Sequence, residues 1–161
     1  MKIGLIPSVK EYYRGSYEFS VDKNLILFLK KCFLDPHIEI LTDKKVEITS
    51  CDLIVFSGGN DLIKFKNIAR NKIRDELDNF YLNICLKKNI RVLGICHGAQ
   101  FISNFFESRI VKRKHIGRHD IDFKFNDNSI KINVNSYHNY VITSLGIKLF
   151  ELARCKDNSI E

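Results

Sequence analysis

Apolar positions along the chain alternate between short continuous runs and longer segments with a helical period. The runs "CDLIVF" and "IRVLGI" have few polar positions, which predicts strands buried on both faces, and residues 2–7 and "HIEIL" predict two further strands. Residues 22–33 and 68–88 instead place apolar side chains at i, i+3, i+4 and i+7, which predicts two helices. Asp22 is the expected N-cap of the first helix, and Pro36 follows its end. A third helix is expected in "GAQFISNFFES".

The second predicted helix presents one continuous apolar face, made of Ile73, Leu77, Phe80, Tyr81, Ile84 and Cys85. Buried strands that alternate with such helices are typical of an α/β fold with a parallel sheet covered on both faces. No linker, internal repeat or low-complexity segment interrupts the pattern. We therefore expect a single domain over residues 1–161.

Two segments depart from this alternation. Residues 8–19, "SVKEYYRGSYEF", are expected to form a Tyr-rich loop. In the last third, "IDFKF", "SIKINV" and "IKLFELARC" alternate with period two and are separated by Asn/Asp turns such as "NDN" at 126–128. This predicts antiparallel strands added to the parallel core.

The end of the chain, "ARCKDNSIE", reads as a strand followed by a turn that begins a hairpin. Ile160 and Glu161 are all that remains for the second arm, whereas a strand commonly has about 5–6 residues. The expectation is that the natural protein continues past Glu161.

The composition of the chain argues against a membrane-spanning or a secreted protein. The longest apolar runs are far shorter than the about 18–20 residues of a membrane span, and "MKIGLIPSVK" lacks the features of a secretory signal. The five cysteines are scattered and form no Cys-x-x-Cys pair, which argues against a zinc site or a disulfide framework. Reduced thiols in a cytoplasm fit this spacing better.

A net charge of +7 raises the question of an anionic partner. No helix-turn-helix, zinc finger or RNA-binding signature accompanies it, so neither nucleic acid nor a membrane is expected as a partner. The basic cluster at 109–120, "RIVKRKHIGRHD" with Arg113 and Lys114, is either a solvated face or a site for an anionic substrate. The Tyr side chains at 12, 13 and 17 either stack on a nucleotide base or simply pack.

The candidate chemistry lies in "GICHGAQ", where Cys96 stands between Gly94 and Gly98. A strand, a G-x-C-x-G turn and a helix make a nucleophile elbow, with cysteine in place of serine. The positive end of the helix is expected to lower the thiol pKa, and the N–H groups of His97 and Gly98 lie close to any oxyanion. The alternative is a buried structural cysteine.

"FSGGND" at 56–61 forms a second glycine turn at the end of a neighbouring strand. Gly58 and Gly59 permit close backbone approach and present N–H groups, as an oxyanion hole requires. A Gly-Gly turn alone is weak evidence. Together with the Cys96 turn it predicts an acyl-transfer site.

Together "SGGND", "GICHGAQ" and "VNSYHNYVI" resemble the class I, triad-type glutamine amidotransferase family. This resemblance implies a flavodoxin-like three-layer α/β fold, with a mainly parallel central sheet and added antiparallel strands near the C-terminus. It implies that Cys96 accepts a γ-glutamyl group as a thioester, and that the N–H groups of Gly59 and His97 hold the oxyanion. The residues implied to bind the substrate are Gly58, Asn60, Gln100, Ser136, Tyr137 and His138.

Within that family, "GGND", "RDELDNFYL", "VNSYHN" and "KDNSIE" are most similar to the stand-alone γ-glutamyl hydrolase branch. The resemblance implies hydrolysis of a γ-glutamyl amide, on a small and nucleotide-linked substrate, with release of glutamate and without a metal or cofactor. One alternative is a glutaminase subunit that supplies ammonia to a synthetase partner. Another is a binding module without catalysis.

One feature of the family pattern is missing. The family takes its general base and the orienting carboxylate from a "W-H-P-E"-type motif, whereas this sequence has no Trp and ends at Glu161. The base is therefore expected beyond Glu161. His97 should point away from Cys96 into the helix start, and His138 is expected to contact substrate, with a base or structural role as alternatives. Structural or surface roles are expected for His37, His115 and His119.

Overall fold

A computed structural model describes residues 1–45, 47–125 and 128–161. They form two compact units, Met1–Phe101 and Ile102–Glu161. The elements of the first unit are β1 (Lys2–Ile6), β2 (Ser8–Tyr13), β3 (Ser16–Ser20), α1 (Lys23–Cys32), β4 (His37–Ile40), β5 (Leu53–Phe56), α2 (Ala69–Lys88) and β6 (Arg91–Gly94). Helix α3 (His97–Phe105) begins in this unit, and β7 (Arg109–Phe125), β8 (Asn128–Ser144) and β9 (Ala153–Cys155) follow in the second.

The first unit is built on a parallel sheet with strand order β4-β1-β5-β6, as the sequence predicts. Apart from Lys2, the residues of its central strands β1 and β5 are apolar and buried, and Ile3, Leu5 and Val55 pack with Leu29 of α1 in the core. Since parallel strands end at one edge of a sheet, the segments after β1, β5 and β6 meet there. That edge carries the candidate site.

Strand β6 differs from the prediction of burial on both faces. It is the last strand in the sheet order, and Arg91 and Val92 are exposed. The apolar run "IRVLGI" could not distinguish a central strand from an edge strand, because edge position is set by the pairing of strands that are distant in sequence.

The predicted helices form close to their expected bounds. The carboxylate of Asp22 accepts a hydrogen bond from the Asn24 N–H at 2.7 Å, which confirms it as the N-cap of α1. Helix α2 ends at Asn89 in the left-handed conformation, a common helix C-terminus. Its buried face includes Leu77, Tyr81 and Cys85, and it also buries the charged side chains of Arg74 and Asp78.

The Tyr-rich segment is a β-hairpin, and its prediction as a loop is wrong. Strands β2 and β3 pair antiparallel around the two-residue turn Arg14–Gly15, with Gly15 at φ 76°. Glycine adopts that conformation without steric cost, and the flanking Tyr, Phe and Val side chains favour strands. The hairpin leaves Tyr12 and Tyr13 largely exposed.

The second unit contains a three-stranded antiparallel sheet with order β8-β7-β9, which agrees with the predicted class of strand. The basic cluster at 109–120 lies within β7, and "IDFKF" continues the same strand.

In "IKLFELARC" the strand is limited to Ala153–Cys155, so the prediction of a longer strand is wrong. The "NDN" turn includes residues 126 and 127, which lie outside the described residues. Ile160 bridges to Ile142 and Arg154.

Over the described ranges, every helix is too short or too polar to cross a lipid bilayer. All five cysteines are free thiols.

Candidate active site

Cys96 lies at a tight bend between β6 and α3, in the left-handed conformation with φ 53°. The bend is held on both sides by backbone hydrogen bonds. The Ile95 N–H donates to the Phe56 carbonyl at 2.9 Å, and the Gln100 N–H donates to the Cys96 carbonyl at 3.0 Å. A non-glycine residue in this conformation is strained, and such strain concentrates at functional sites. The geometry is that of the predicted nucleophile elbow.

Two glycines make the bend possible. A Cβ added to Gly98 would lie 2.0 Å from the Phe56 carbonyl oxygen, and one added to Gly94 would lie 2.7 Å from the Ala99 nitrogen. Both contacts are with backbone atoms, which cannot move aside without disturbing β5 or α3. The glycines on either side of Cys96 therefore let strand, bend and helix pack within van der Waals distance.

The backbone N–H groups of Gly59 and His97 both lower the pKa of the Cys96 thiol, which places both groups beside its sulfur. Gly59 adopts φ 109°, and a Cβ there would lie 2.9 Å from the Ser8 Cβ. The other candidate donor, the N–H of Gly98, donates to the Ile95 carbonyl at 3.0 Å and belongs to the helix start. Donors from two loops thus converge on the nucleophile, as an oxyanion hole requires.

The thiol is open to solvent, yet its pKa is shifted in the direction opposite to the prediction. Burial by the surrounding protein raises the pKa of Cys96, and this effect exceeds the lowering by the N–H groups of His97 and Gly59. The carboxylate of Asp61 raises the pKa further. The balance is a raised pKa, which favours the thiol over the thiolate.

This shift predicts a pH dependence for alkylation of Cys96 by iodoacetamide. Because the thiolate reacts and the pKa is raised, the rate at pH 7 should be below that of N-acetylcysteine and should still increase above the ordinary thiol pKa of about 8.5. Peptide mass spectrometry over a pH series measures modification at this residue. A rate that is already maximal at pH 7 would contradict the raised pKa.

Behind the two donors lies a buried ionic network that the sequence reasoning missed. The Arg74 Nε lies 2.9 Å from both carboxylate oxygens of Asp78, and the His97 Nε2 lies 2.9 Å from Asp78 Oδ2. All three side chains are fully buried. The imidazole of His97 is thus bound to Asp78 behind the bend, which agrees with the prediction that it points away from Cys96.

Arg74 extends this network to the loops at the strand ends. Its Nη1 donates to the Pro7 carbonyl at 2.8 Å and to the Ser57 hydroxyl at 3.2 Å, and its Nη2 donates to the Ser57 carbonyl at 2.8 Å. The Arg74–Asp78 pair therefore connects Ser57, two residues before Gly59, with His97, the residue after Cys96. We assign Arg74 and Asp78 as positioning residues.

A signal for this network was present in the sequence. Arg74 and Asp78 are separated by four positions and fall on the same helical row as Leu77, Tyr81 and Cys85. An Arg–Asp pair within an apolar row is typical of a buried ion pair, because an unpaired charge there would be too costly.

The predicted substrate residues of the first unit differ in their surroundings. The Asn60 side chain binds both backbone groups of Val9, accepting from its N–H at 2.9 Å and donating to its carbonyl at 3.0 Å. The Asn60 side chain therefore holds the Gly58–Gly59 turn against β2. Gln100 is buried on α3, one turn after Cys96. A Cβ at Gly58 would lie 3.1 Å from the Cys96 Cβ, a close contact that a shift of a few tenths of an ångström would have to relieve.

The predicted substrate segment Ser136–Tyr137–His138 lies on β8 in the second unit. Because successive side chains of a strand point to opposite faces, Tyr137 faces away from Ser136 and His138. Tyr137 is largely exposed, whereas His138 pairs across the strands with His115. A contact of all three with one substrate remains a prediction.

The Cys96 sulfur faces a cleft of about 410 Å³ within the first unit. Besides Cys96 and the Gly58–Gly59 backbone, its lining includes polar side chains from the hairpin and the start of α1: Ser8, Lys10, Ser20 and Asp22. The lining of the cleft thus includes one cation, one carboxylate and several hydroxyl groups beside Cys96.

Comparison with known sequences agrees with this geometry. The family model described as glutamine amidotransferase class-I matches residues 16–161. The gamma-glutamyl-CDP-amidate hydrolase of Campylobacter jejuni subsp. jejuni serotype O:2 is 41% identical over 109 residues, which are 67% of this chain and 52% of that protein. The chain therefore spans about half the length of this curated relative.

Solved structures show the same fold. A putative GMP synthase subunit from Thermoplasma acidophilum superposes with a TM-score of 0.73 at 19% identity, over 100% of this chain and 76% of that one. A glutamine amidotransferase from Thermotoga maritima superposes with a TM-score of 0.69 at 16% identity, over 99% and 69%. The extent of the family match, together with the shared fold, shows that the chain belongs to the class I glutamine amidotransferase family.

Proposed function

We propose that this protein hydrolyses γ-glutamyl amide bonds through a thioester on Cys96, with γ-glutamyl-CDP-amidate as its substrate. The observation that carries the proposal is the convergence of the Gly59 and His97 N–H groups on the sulfur of a strained, solvent-accessible cysteine. The Campylobacter relative supports the choice of substrate through its name. The products would be glutamate and cytidine diphosphoramidate.

The chemistry takes two steps. The Cys96 sulfur attacks the γ-carbonyl carbon, and the oxyanion that forms accepts hydrogen bonds from the N–H groups of Gly59 and His97. The C–N bond then breaks, the leaving nitrogen takes a proton, and the γ-glutamyl group remains as a thioester. Water attacks that thioester, releases glutamate and returns the thiol. Each oxyanion donor is worth about 3–4 kcal/mol of the barrier.

The first step requires a general base because burial raises the pKa of the Cys96 thiol, and the second requires one because the attacking water must lose a proton. The His97 imidazole is bound to Asp78 and belongs to the positioning network. We keep the prediction that the base and its carboxylate partner lie in a segment beyond Glu161, as in the family pattern. A role for His138 as base is the alternative.

The leaving group is proposed to occupy the cleft beside Cys96. Lys10 is exposed on β2 and lines that cleft, where its ammonium would pair with a diphosphate. The exposed rings of Tyr12 and Tyr13 follow on the same strand and would be available to stack on a base. By contrast, Arg113 of the basic cluster already binds Asp157 at 3.1 Å.

A substitution of Lys10 tests this placement. Lys10→Ala should raise KM for γ-glutamyl-CDP-amidate by about 3–10-fold, because it removes one partly screened charge contact, and should leave KM for L-glutamine unchanged. Lys88→Ala, at an exposed position of α2, is the matched control. Glutamate release is measured with both substrates on a chain that continues past Glu161. An equal change for the two substrates would contradict the placement.

The second candidate function is a glutaminase subunit that supplies ammonia to a synthetase. Family membership favours it, because class I glutamine amidotransferases include such subunits and the same nucleophile would serve. A glutaminase rate that increases only when a synthetase partner is added would support it. Rapid hydrolysis of γ-glutamyl-CDP-amidate by the protein alone would favour the stand-alone hydrolase. Negligible rates with every substrate would support a binding module.

The proposed site also fits a reducing compartment. All five cysteines are free, and Cys96 must remain a thiol to act as nucleophile. We therefore propose the cytoplasm as its location.

A further inference from the structure

Five side chains with metal-binding atoms meet in the second unit, on the sheet formed by β7, β8 and β9. They are His115 and His119 of β7, His138 of β8, Cys155 of β9, and Glu161. His115 pairs directly with His138, and the Glu161 N–H donates to the Ala153 carbonyl at 3.1 Å, which ties that residue to β9. His138 is also a predicted substrate contact and the alternative base for Cys96, whereas the other four side chains have no proposed role in the Cys96 site.

The spacing of four of these groups fits one tetrahedral metal ion. The ligand atoms of His115, His119, Cys155 and Glu161 all lie within 4.8 Å of one another. From Glu161 Oε1, the distances are 3.3 Å to His115 Nδ1, 3.6 Å to Cys155 Sγ and 3.8 Å to His119 Nε2. Ligands bound to zinc at about 2.0–2.3 Å in a tetrahedron are separated by about 3.3–3.7 Å. Small side-chain shifts therefore suffice for coordination.

The imidazole nitrogens that face Glu161 have no hydrogen-bond partner in the part of the chain described. His115 Nδ1 and His119 Nε2 are both buried and unsatisfied, which is costly unless another group uses their lone pairs. The other nitrogen of His119, Nδ1, lies 3.4 Å from the Gly117 carbonyl. A proton on Nδ1 directed at this carbonyl leaves Nε2 free as a ligand, the outer contact that metal-binding histidines commonly make.

The carboxylate of Glu161 is the negative charge within the cluster, and the adjoining cavity of about 190 Å³ is lined by Asp120, Asp157 and Lys156. Asp157 is paired with Arg113 at 3.1 Å, so it adds no unpaired charge to the cluster. The proton of the Cys155 thiol is directed at Glu161 Oε1, which lies 3.6 Å from the sulfur. A bound metal would displace that proton to solvent and coordinate the thiolate.

We propose that His115, His119, Cys155 and Glu161 form a zinc site, with His138 beside Glu161 as an outer residue. A set of two imidazoles, one thiolate and one carboxylate is borderline-soft, which favours Zn²⁺ over Mg²⁺ or Ca²⁺. The ion would connect β7, β9 and the residues after the Asp157 turn. The site goes beyond the proposed hydrolase activity and does not depend on it.

The test uses Co²⁺ as a spectroscopic substitute for Zn²⁺. It is made in a Cys96→Ala background, so that the exposed thiol of the candidate active site cannot bind metal. We expect one Co²⁺ per chain, with thiolate-to-cobalt charge-transfer absorption and the strong d–d bands of a tetrahedral ion, both removed by one equivalent of Zn²⁺. Zn²⁺ should also raise the Tm. Absence of the charge-transfer absorption in the Cys96→Ala protein would overturn the proposal.

Variants connect the signal to the named ligands. Cys155→Ser should remove the charge-transfer absorption, and His119→Ala should weaken binding by more than the roughly 10–100-fold cost of losing an outer contact. Cys32→Ser and His37→Ala change exposed residues in the first unit and should leave binding unchanged. If Cys155→Ser does not fold, Glu161→Gln serves as the test of the ligand set. This variant keeps the thiolate and should still lower the affinity for Co²⁺ at least 10-fold. Unchanged affinity in Glu161→Gln, or absorption that persists in Cys155→Ser, would contradict the assignment.

Discussion

Replacement of Cys96 by alanine is expected to abolish glutamate release from γ-glutamyl amides, with a loss in kcat on the order of 10⁶-fold. The loss should be this large because both proposed steps pass through the sulfur. The side chain is exposed, so the free energy of unfolding should change by about 0.5 kcal/mol or less. Loss of activity without loss of stability distinguishes a nucleophile from a structural cysteine.

The measurement combines an enzymatic assay for glutamate with intact-mass spectrometry. In a chain that turns over substrate, rapid quenching should trap a γ-glutamyl adduct on wild-type protein and none on Cys96→Ala. The matched control is Cys32→Ala, which alters another exposed cysteine on α1 and should keep full activity. Retention of activity in Cys96→Ala would end the proposed mechanism.

Replacement of Arg74 by methionine should destabilise the fold by about 3–5 kcal/mol, the usual cost of removing one partner from a buried ion pair. The variant would leave the Asp78 carboxylate buried without its cation, and the carbonyls of Pro7 and Ser57 without their donor. Lys72→Met, at an exposed position of the same helix, should change stability by less than about 0.5 kcal/mol. Urea unfolding of both variants measures the difference.

The double variant Arg74→Met/Asp78→Leu separates the pair interaction from general disruption. It should be less destabilised than the sum of its single variants, because removing both charges leaves neither unpaired. A positioning role adds a kinetic expectation: in the folded fraction, kcat should decrease while KM for glutamine stays within about twofold. Additive losses of stability, or an unchanged kcat, would argue against the network as the support of the oxyanion donors.

The nucleophile elbow could be predicted from the sequence because its signals are local. "GICHGAQ" combines an apolar run, closely spaced glycines and a helix start, and each constrains the backbone within a few residues of Cys96. The same holds for the parallel strands and the amphipathic helices, whose periodicity reflects burial along a single element. Turn residues alone did not predict the β2–β3 hairpin. Strand-forming Tyr residues flank its two-residue turn.

The tertiary structure determined the features that depend on residues far apart in the sequence. The Cys96 pKa depends on atoms from Gly59 and Asp61, and the histidine cluster joins residues 115, 119 and 138 with Cys155 and Glu161. The spacing of cysteines along the chain gave no indication of this cluster, whereas the pairing of β7 with β8 and β9 brings its side chains together. The sequence by itself determined the parallel strands, the amphipathic helices and the tight bend at Cys96. Only the fold determined the burial and electrostatics of the side chains, because both depend on neighbours that chain order does not reveal.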